Sequence, residues 1–174
     1  KQYEFLEHNL KRGVREKFWS RKILADGIGD ITARPNIFIA YYIYPELLNR
    51  NEWKTAFEHS LRHLWLDWGG LSSLDVENKE FVANHTGENP KSYHNGDSWY
   101  WLNNLAAMAL HDVDKKGFAE KVKAILKASS NDILWQGALG HHSELSSASV
   151  QESNGCISQA WSSAMFIELV ESLV

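Results

Sequence analysis

The stretch SWYWLNNLAAMALH, residues Ser98 to His111, decides the fold class. Wound at 3.6 residues per turn it is apolar nearly all round, with Trp99, Trp101, Leu102, Leu105, Ala106, Met108, Ala109 and Leu110 leaving no broad polar stripe. A helix with that pattern is buried on every side, so it needs several neighbours to cover it. Those neighbours are legible on both sides of it. Tyr3, Leu6, Leu10, Val14 and Phe18 keep the three-and-four spacing of an amphipathic helix. A second helix is expected from about Asn36 to Tyr44, stopped by Pro45, whose ring clashes with the carbonyl four residues back. Trp53, Phe57, Leu61, Leu64 and Trp65 mark a third, starting through Asn51. After the buried fourth, Phe118, Val122, Ile125 and Leu126 give an amphipathic fifth with Asp114 as its expected N-cap. A sixth, mostly apolar, is expected from about Ile157 to Leu173.

No run of alternating residues suggests a strand, and the expected class is all-α. Helices four and six, apolar all round, alternate with amphipathic helices three and five, as they would in two concentric layers with the former inside. Antiparallel helix pairs forming an α/α toroid, or part of one, fit that alternation. The connections carry a second signal. Those from helix one to two (about Arg21 to Pro35), three to four (Asp67 to Asp97) and five to six (Ser129 to Gly155) are long, and the others are short. If successive helices run up and down, every long connection lies at the same end. Loops beyond about 12–15 residues in a compact domain are usually functional or disordered. These hold Trp, Tyr, His and Gly, a composition for one ordered, concave face.

Composition narrows the function classes. At 174 residues and 44% hydrophobic, the chain is expected to form one domain, residues 1–174, with a true core. Eighteen Lys and Arg against 22 Asp and Glu give a net charge of -4, with no basic stripe of the kind nucleic acid demands. Its apolar stretches, such as Ile37 to Pro45, fall far short of the roughly 20 residues that span a bilayer. Cys156 is the only cysteine, and no apolar leader is visible, which fits a reducing, cytoplasmic setting. The chain opens on the mid-helix pattern KQYEFLEHNLKR without an initiator methionine, as a piece of a longer protein would.

Two clusters could carry chemistry. In Ser92 to Trp101, a turn runs into the buried fourth helix. Asp97 or Ser98 could cap that helix. Alternatively, Tyr93, His94 and Asn95 could offer hydroxyl-binding groups beside the indoles of Trp99 and Trp101. The second cluster runs from Leu139 to Ser146 and is followed by Glu152 to Cys156 and Trp161. Glycoside cleavage needs two carboxyls, and Glu144 and Glu152 are the acidic residues of this loop nearest the sixth helix. His141, His142 and Ser143 give Glu144 the more polar, uncharged surroundings. A metal site is not expected, because adjacent histidines cannot easily turn to one ion and no His-Glu-x-x-His helix occurs. Cys156 is read as a small buried hydrophobe at a helix start. Arg34 could cap carbonyls or pin a loop carboxylate, and Gly69-Gly70 suggests a sharp turn.

In chain order, Phe18-Trp19, Arg34-Pro35-Asn36, Gly70-Leu71-Ser72-Ser73-Leu74, Tyr93-His94-Asn95-Gly96-Asp97-Ser98-Trp99, Ser143-Glu144-Leu145 and Gly155-Cys156-Ile157-Ser158-Gln159-Ala160-Trp161-Ser162 resemble the closing half of the glycogen-debranching (amylo-α-1,6-glucosidase) family. The resemblance implies the C-terminal half of an (α/α)6 toroid, cytoplasmic hydrolysis of α-1,6-glucosidic branch points in glycogen-type glucan with inversion, and no cofactor. It also implies that Glu144 is the catalytic base and that Tyr93, His94, Trp99 and Trp161 line the sugar pocket. With Asp97, Trp101 and His142 these form the expected substrate-binding set. The family's general acid lies earlier in the chain, so the rest of the toroid is expected from an upstream segment. Two motifs depart from the family pattern. The turn at Gly70 to Ser73 reads Gly-Leu-Ser-Ser, and Asp97-Ser98-Trp99-Tyr100-Trp101 resembles the archaeal branch. A non-catalytic glucan-binding or assembly module, or a glucoamylase-like or trehalase-like toroidal glycosidase, are the alternatives.

Overall fold

The computed structural model describes residues 2–174 and is all-α; Lys1 of the expected domain lies outside the described residues. The helices are α1 (Gln2–Phe18), α2 (Asn36–Ile43), α3 (Arg50–Leu64), α4 (Tyr100–Asp114), α5 (Ala119–Trp135) and α6 (Ala160–Leu173). Two minimal antiparallel ladders accompany them, which the sequence did not announce. One pairs β1 (Trp19–Ser20) with β2 (Ile23–Leu24), the other β3 (Ser98–Trp99) with β4 (Leu145–Ser146).

The buried helix is the hub. Ten of the fifteen residues of α4 are buried, and it packs against α2, α3, α5 and α6. Around it Phe38, Trp53, Phe57, Leu64, Leu110 and Ile125 fill the core, with the Phe38 and Phe57 rings 4.8 Å apart. Each such side chain contributes about 1.5–3 kcal/mol by leaving water. Trp53 also satisfies its indole N–H by donating to the Pro45 carbonyl at 2.7 Å.

Helix ends differ from expectation where side-chain chemistry outweighs periodicity. Asn49, two residues before the expected Asn51, caps α3. Its side chain accepts the Glu52 N–H while the Glu52 carboxylate accepts the Asn49 N–H, a reciprocal capping box. Asp114 does not open the fifth helix. It closes α4, accepts the Gly117 N–H at 2.8 Å and pairs with Lys54 at 2.7 Å. α5 runs through Ser129 to Trp135, because its inward Ser129 and Asp132 find partners on α4 and the loop beyond. α6 starts at Ala160, after a loop where Ile157 is exposed.

α6 packs on α4, and its other face is open in this structure. Only Ser162 and Leu169 of α6 are buried, while Trp161, Ile167 and Val170 face outward. α1 buries no residue, and its Tyr3, Phe5, Leu6 and Leu10 are exposed. Among the described residues no helix is long and apolar enough to cross a membrane.

Candidate functional site

The β3–β4 ladder joins the two candidate clusters. Ser98 pairs with Ser146 and Trp99 with Leu145. No side chain caps α4; instead the Tyr100 N–H at its start donates to the Glu144 carbonyl at 3.2 Å. The backbone of Glu144 thus satisfies one orphan amide of the buried helix, which ties the residue to the helix that buries the most residues.

Its side chain is held just as firmly. Tyr93 donates its hydroxyl to Glu144 Oε1 at 2.5 Å, and the Cys156 N–H donates to Oε2 at 2.8 Å. The Glu144 N–H donates back to the Cys156 carbonyl at 2.8 Å. Between them Gly155 takes φ +68°, and a Cβ there would stand 2.5 Å from Oε2, so glycine is what lets the loop close on the carboxylate. Burial and then the hydrogen bond to Glu144 push the Tyr93 phenol up to about 12, so at neutral pH it stays a donor. Cys156, expected as a buried hydrophobe, has an exposed thiol; it is its backbone that serves the site.

A buried aspartate braces each of the two loops. Asp132 Oδ2 accepts from His142 Nδ1 (2.7 Å) and the Ser143 N–H (2.8 Å), while Oδ1 accepts the Ser153 hydroxyl (2.5 Å). It thereby ties both strands that flank Glu144 and Gly155. Burial opposes its charge, but the three donors, led by His142, outweigh that and hold Asp132 below the ordinary carboxylate range. On the other side Asp97 Oδ2 accepts from the Ser92 hydroxyl and His85 Nδ1, both at 2.8 Å.

Two members of the expected binding set, His142 and Asp97, have no exposed surface in this structure. His142 is fully buried between the Tyr100 and Phe166 rings, with Nε2 facing Asn104. Asp97 is fully buried too and caps no helix. Both are hydrogen-bonded to the loops around Glu144 and Trp99, and among the described residues Asp97 Oδ1 is left without a hydrogen-bond partner. His85, which closes the Asp97 brace, was missed by sequence reading; it lies twelve positions before Asp97 in an irregular loop and no motif marks it.

The aromatic residues form a wall. Trp99 stacks on His94 (5.5 Å, 5° between planes) and takes the Tyr93 ring edge-on at 4.5 Å, donating its indole N–H to the Tyr93 carbonyl. Trp101 and Trp161 meet edge to face at 6.1 Å. His94, Trp99, Trp101 and Trp161 line a cleft of about 580 Å³, together with Asp26, Arg34, Asn36 and Ser73. Arg34 pins the loop by donating to the Ser73 and His94 carbonyls at 3.1 and 2.8 Å. Glu144 is not a lining residue of this cleft; Tyr93 links the two, its ring on Trp99 and its hydroxyl on the carboxylate. Glu152, the other acidic candidate, is exposed. Among the described residues no three His, Cys, Asp or Glu side chains converge on a metal position.

A concave surface of this size, with indole faces and a few fixed polar groups, suits a small polyhydroxylated ligand. A family model described as amylo-alpha-1,6-glucosidase matches residues 1–168. No curated protein matches the chain.

Proposed function

We propose, from the premise that the chain belongs to the amylo-alpha-1,6-glucosidase family, that it supplies the base half of an inverting glycosidase site acting on α-1,6 branch points of a glycogen-type glucan. The observation that carries this reading is the Tyr93–Glu144 hydrogen bond at 2.5 Å beside an indole-lined cleft. An inverting site needs a base carboxylate that holds a water against the sugar, with its acid partner about 6.5–9.5 Å away. Each oxygen of Glu144 receives one internal donor, and a carboxylate oxygen has two acceptor positions. A water can therefore still donate to it. Tyr93 and the Cys156 N–H fix the plane of the carboxylate, and orientation of that kind is a large part of what such a site contributes.

The general acid comes from the upstream part of a toroid of which this chain is the C-terminal half. The outward apolar faces of α1 and α6 support that completion, since each offers an unburied surface for further helices. In the longer protein, Glu144→Gln keeps the shape and the Tyr93 contact but removes the base. Glucose release from a branched limit dextrin should fall by about 10²–10⁴ in turnover number, with KM little changed. A variant retaining more than roughly a tenth of wild-type turnover, a loss far below that range, would exclude Glu144 as the base. Binding of the dextrin with no hydrolysis by either protein would instead favour a glucan-binding module.

A further inference from the structure

His59 and His63 stand one turn apart on α3, four residues from each other and so on the same side of the helix. Their ring centres are 4.7 Å apart, and both line a cavity of about 270 Å³ with Thr32, Asp75 and Asn78. Among the described residues neither ring nitrogen of His59 has a hydrogen-bond partner. Asp75 Oδ2 lies 3.1 Å from His63 Nδ1, while its Oδ1 accepts the Glu77 N–H at 2.9 Å, which fixes the carboxylate. The negative charge beside Nδ1 draws the His63 ring proton there and leaves Nε2 with a lone pair.

Two imidazoles with lone pairs to offer suit a cation that takes nitrogen ligands. An ion of the zinc type sits about 2.0–2.1 Å from each imidazole nitrogen, so with bond angles between right-angled and tetrahedral it holds two ring centres roughly 4.5–5.2 Å apart. The observed spacing falls inside that interval. Asp75 behind His63 is the outer-shell carboxylate that metal-bound imidazoles use to hold their orientation. Burial, and then the neighbouring His63, lowers the His59 pKa, which keeps that ring in its neutral, ligating form at neutral pH. His63 also lies in the last turn of α3, where the helix dipole favours positive charge. Calcium and magnesium select oxygen ligands and do not match the pair. Where a zinc-protease helix carries a glutamate after its first histidine, this one has the buried Ser60, so no hydrolytic base stands beside the ion.

We propose that His59 and His63 bind one divalent ion of the zinc class, with Asp75 orienting His63 and water filling the remaining coordination positions. The Asp75 N–H donates to the Ala33 carbonyl and the Val76 N–H to the His63 carbonyl, both at 3.0 Å. An ion held here therefore fastens α3 to the two segments that it meets. None of the three residues lines the indole cleft or hydrogen-bonds to Glu144, so the proposal stands apart from the glycosidase reading.

The test is a calorimetric titration of the 174-residue chain with zinc chloride, with Cys156→Ser in every protein to remove the exposed thiol. One equivalent should bind. His59→Ala and His63→Ala should each weaken binding by about tenfold or more, and Asp75→Asn, which keeps the shape but drops the charge, by about 10–100-fold. His8→Ala, at an exposed position on α1, should change nothing. Proton NMR of the unsubstituted histidines gives a readout that no folding defect can mimic: zinc should shift the ring resonances of His59 and His63 and leave those of His8 and His94 in place. Absence of binding, binding that survives both histidine substitutions, or unmoved His59 and His63 resonances overturns the proposal. Unchanged affinity in Asp75→Asn overturns the orienting role of Asp75.

Discussion

Asp132 keeps a charge in a fully buried position, which is tolerable only because three donors converge on it. Deleting its side chain leaves His142 Nδ1, the Ser143 N–H and the Ser153 hydroxyl without their acceptor. Each buried donor left without a partner costs about 1–3 kcal/mol, and urea unfolding of Asp132→Ala should show a loss of about 3 kcal/mol or more. The pH dependence has a definite sign. A carboxyl whose folded pKa is depressed adds stability above its unfolded pKa, about 3.9, and loses it as pH falls through the lower folded value. The stability gap between wild type and Asp132→Asn should thus be constant near neutrality and narrow below about pH 4. A gap independent of pH down to acid unfolding would mean that Asp132 is not charged in the fold. The same residue marks where sequence reading stops. That Glu144 and Tyr93 lie close together, and that His94, Trp99, Trp101 and Trp161 line one cleft, was legible from their motifs. Polarity was also read as exposure for Asp97 and His142, yet both are buried. Their partners, His85 and Asp132, lie ten or more residues away, at a separation no local pattern encodes.

Helices were legible as elements because periodicity reports burial directly, and their ends were not because caps depend on single side chains. α4 shows the first point: an all-apolar surface predicted a hub, and its residues are packed from four sides. α5 shows the second, since Ser129 and Asp132 resemble loop residues until Asn104 and His142 are known to face them. α1 raises a further question, because a helix with no buried residue must be held by something else. Arg15 supplies it: Nη1 and Nη2 donate to the two carboxylate oxygens of Glu52 at 2.9 and 2.7 Å, and Nη1 also reaches the Leu47 carbonyl. The fork ties α1 to the capping box of α3. Both side chains are partly exposed, so solvent screens the pair and its contribution is about 1 kcal/mol. Arg15→Ala should accordingly lower stability by roughly that amount and speed hydrogen exchange in α1 more than in α4. The difference from wild type should shrink in high salt. Equal exchange in both proteins would show that Val14, Phe18 and Trp19 hold the helix unaided.

On the scale of the molecule, apolar surface is placed where a closed fold would not leave it. Tyr3 is 84% exposed on α1, and Trp161 and Ile167 are 65% and 57% exposed on α6. Between α1 and α2 lies an almost wholly apolar groove of about 490 Å³, lined by Tyr3, Leu6, Leu10, Val14 and Ile43 among others. Contiguous patches of this kind mark surfaces that something covers. If the rest of a toroid covers them, as proposed, the consequence of adding charge there depends on which protein carries it. In the 174-residue chain, Leu6→Glu with Ile167→Glu should leave the melting temperature nearly unchanged, because neither residue is buried. It should also reduce dye binding and concentration-dependent association. In the longer protein the same pair should be destabilising, since each leucine or isoleucine that is buried there contributes about 1.5–3 kcal/mol and a glutamate in its place is left without a partner. Opposite outcomes from one pair of substitutions are hard to obtain by any general effect on solubility. Thermal unfolding and sedimentation of all four proteins decide the matter. A longer protein as tolerant of the charges as the short chain would mean that these faces remain open and that the upstream helices close the site from elsewhere.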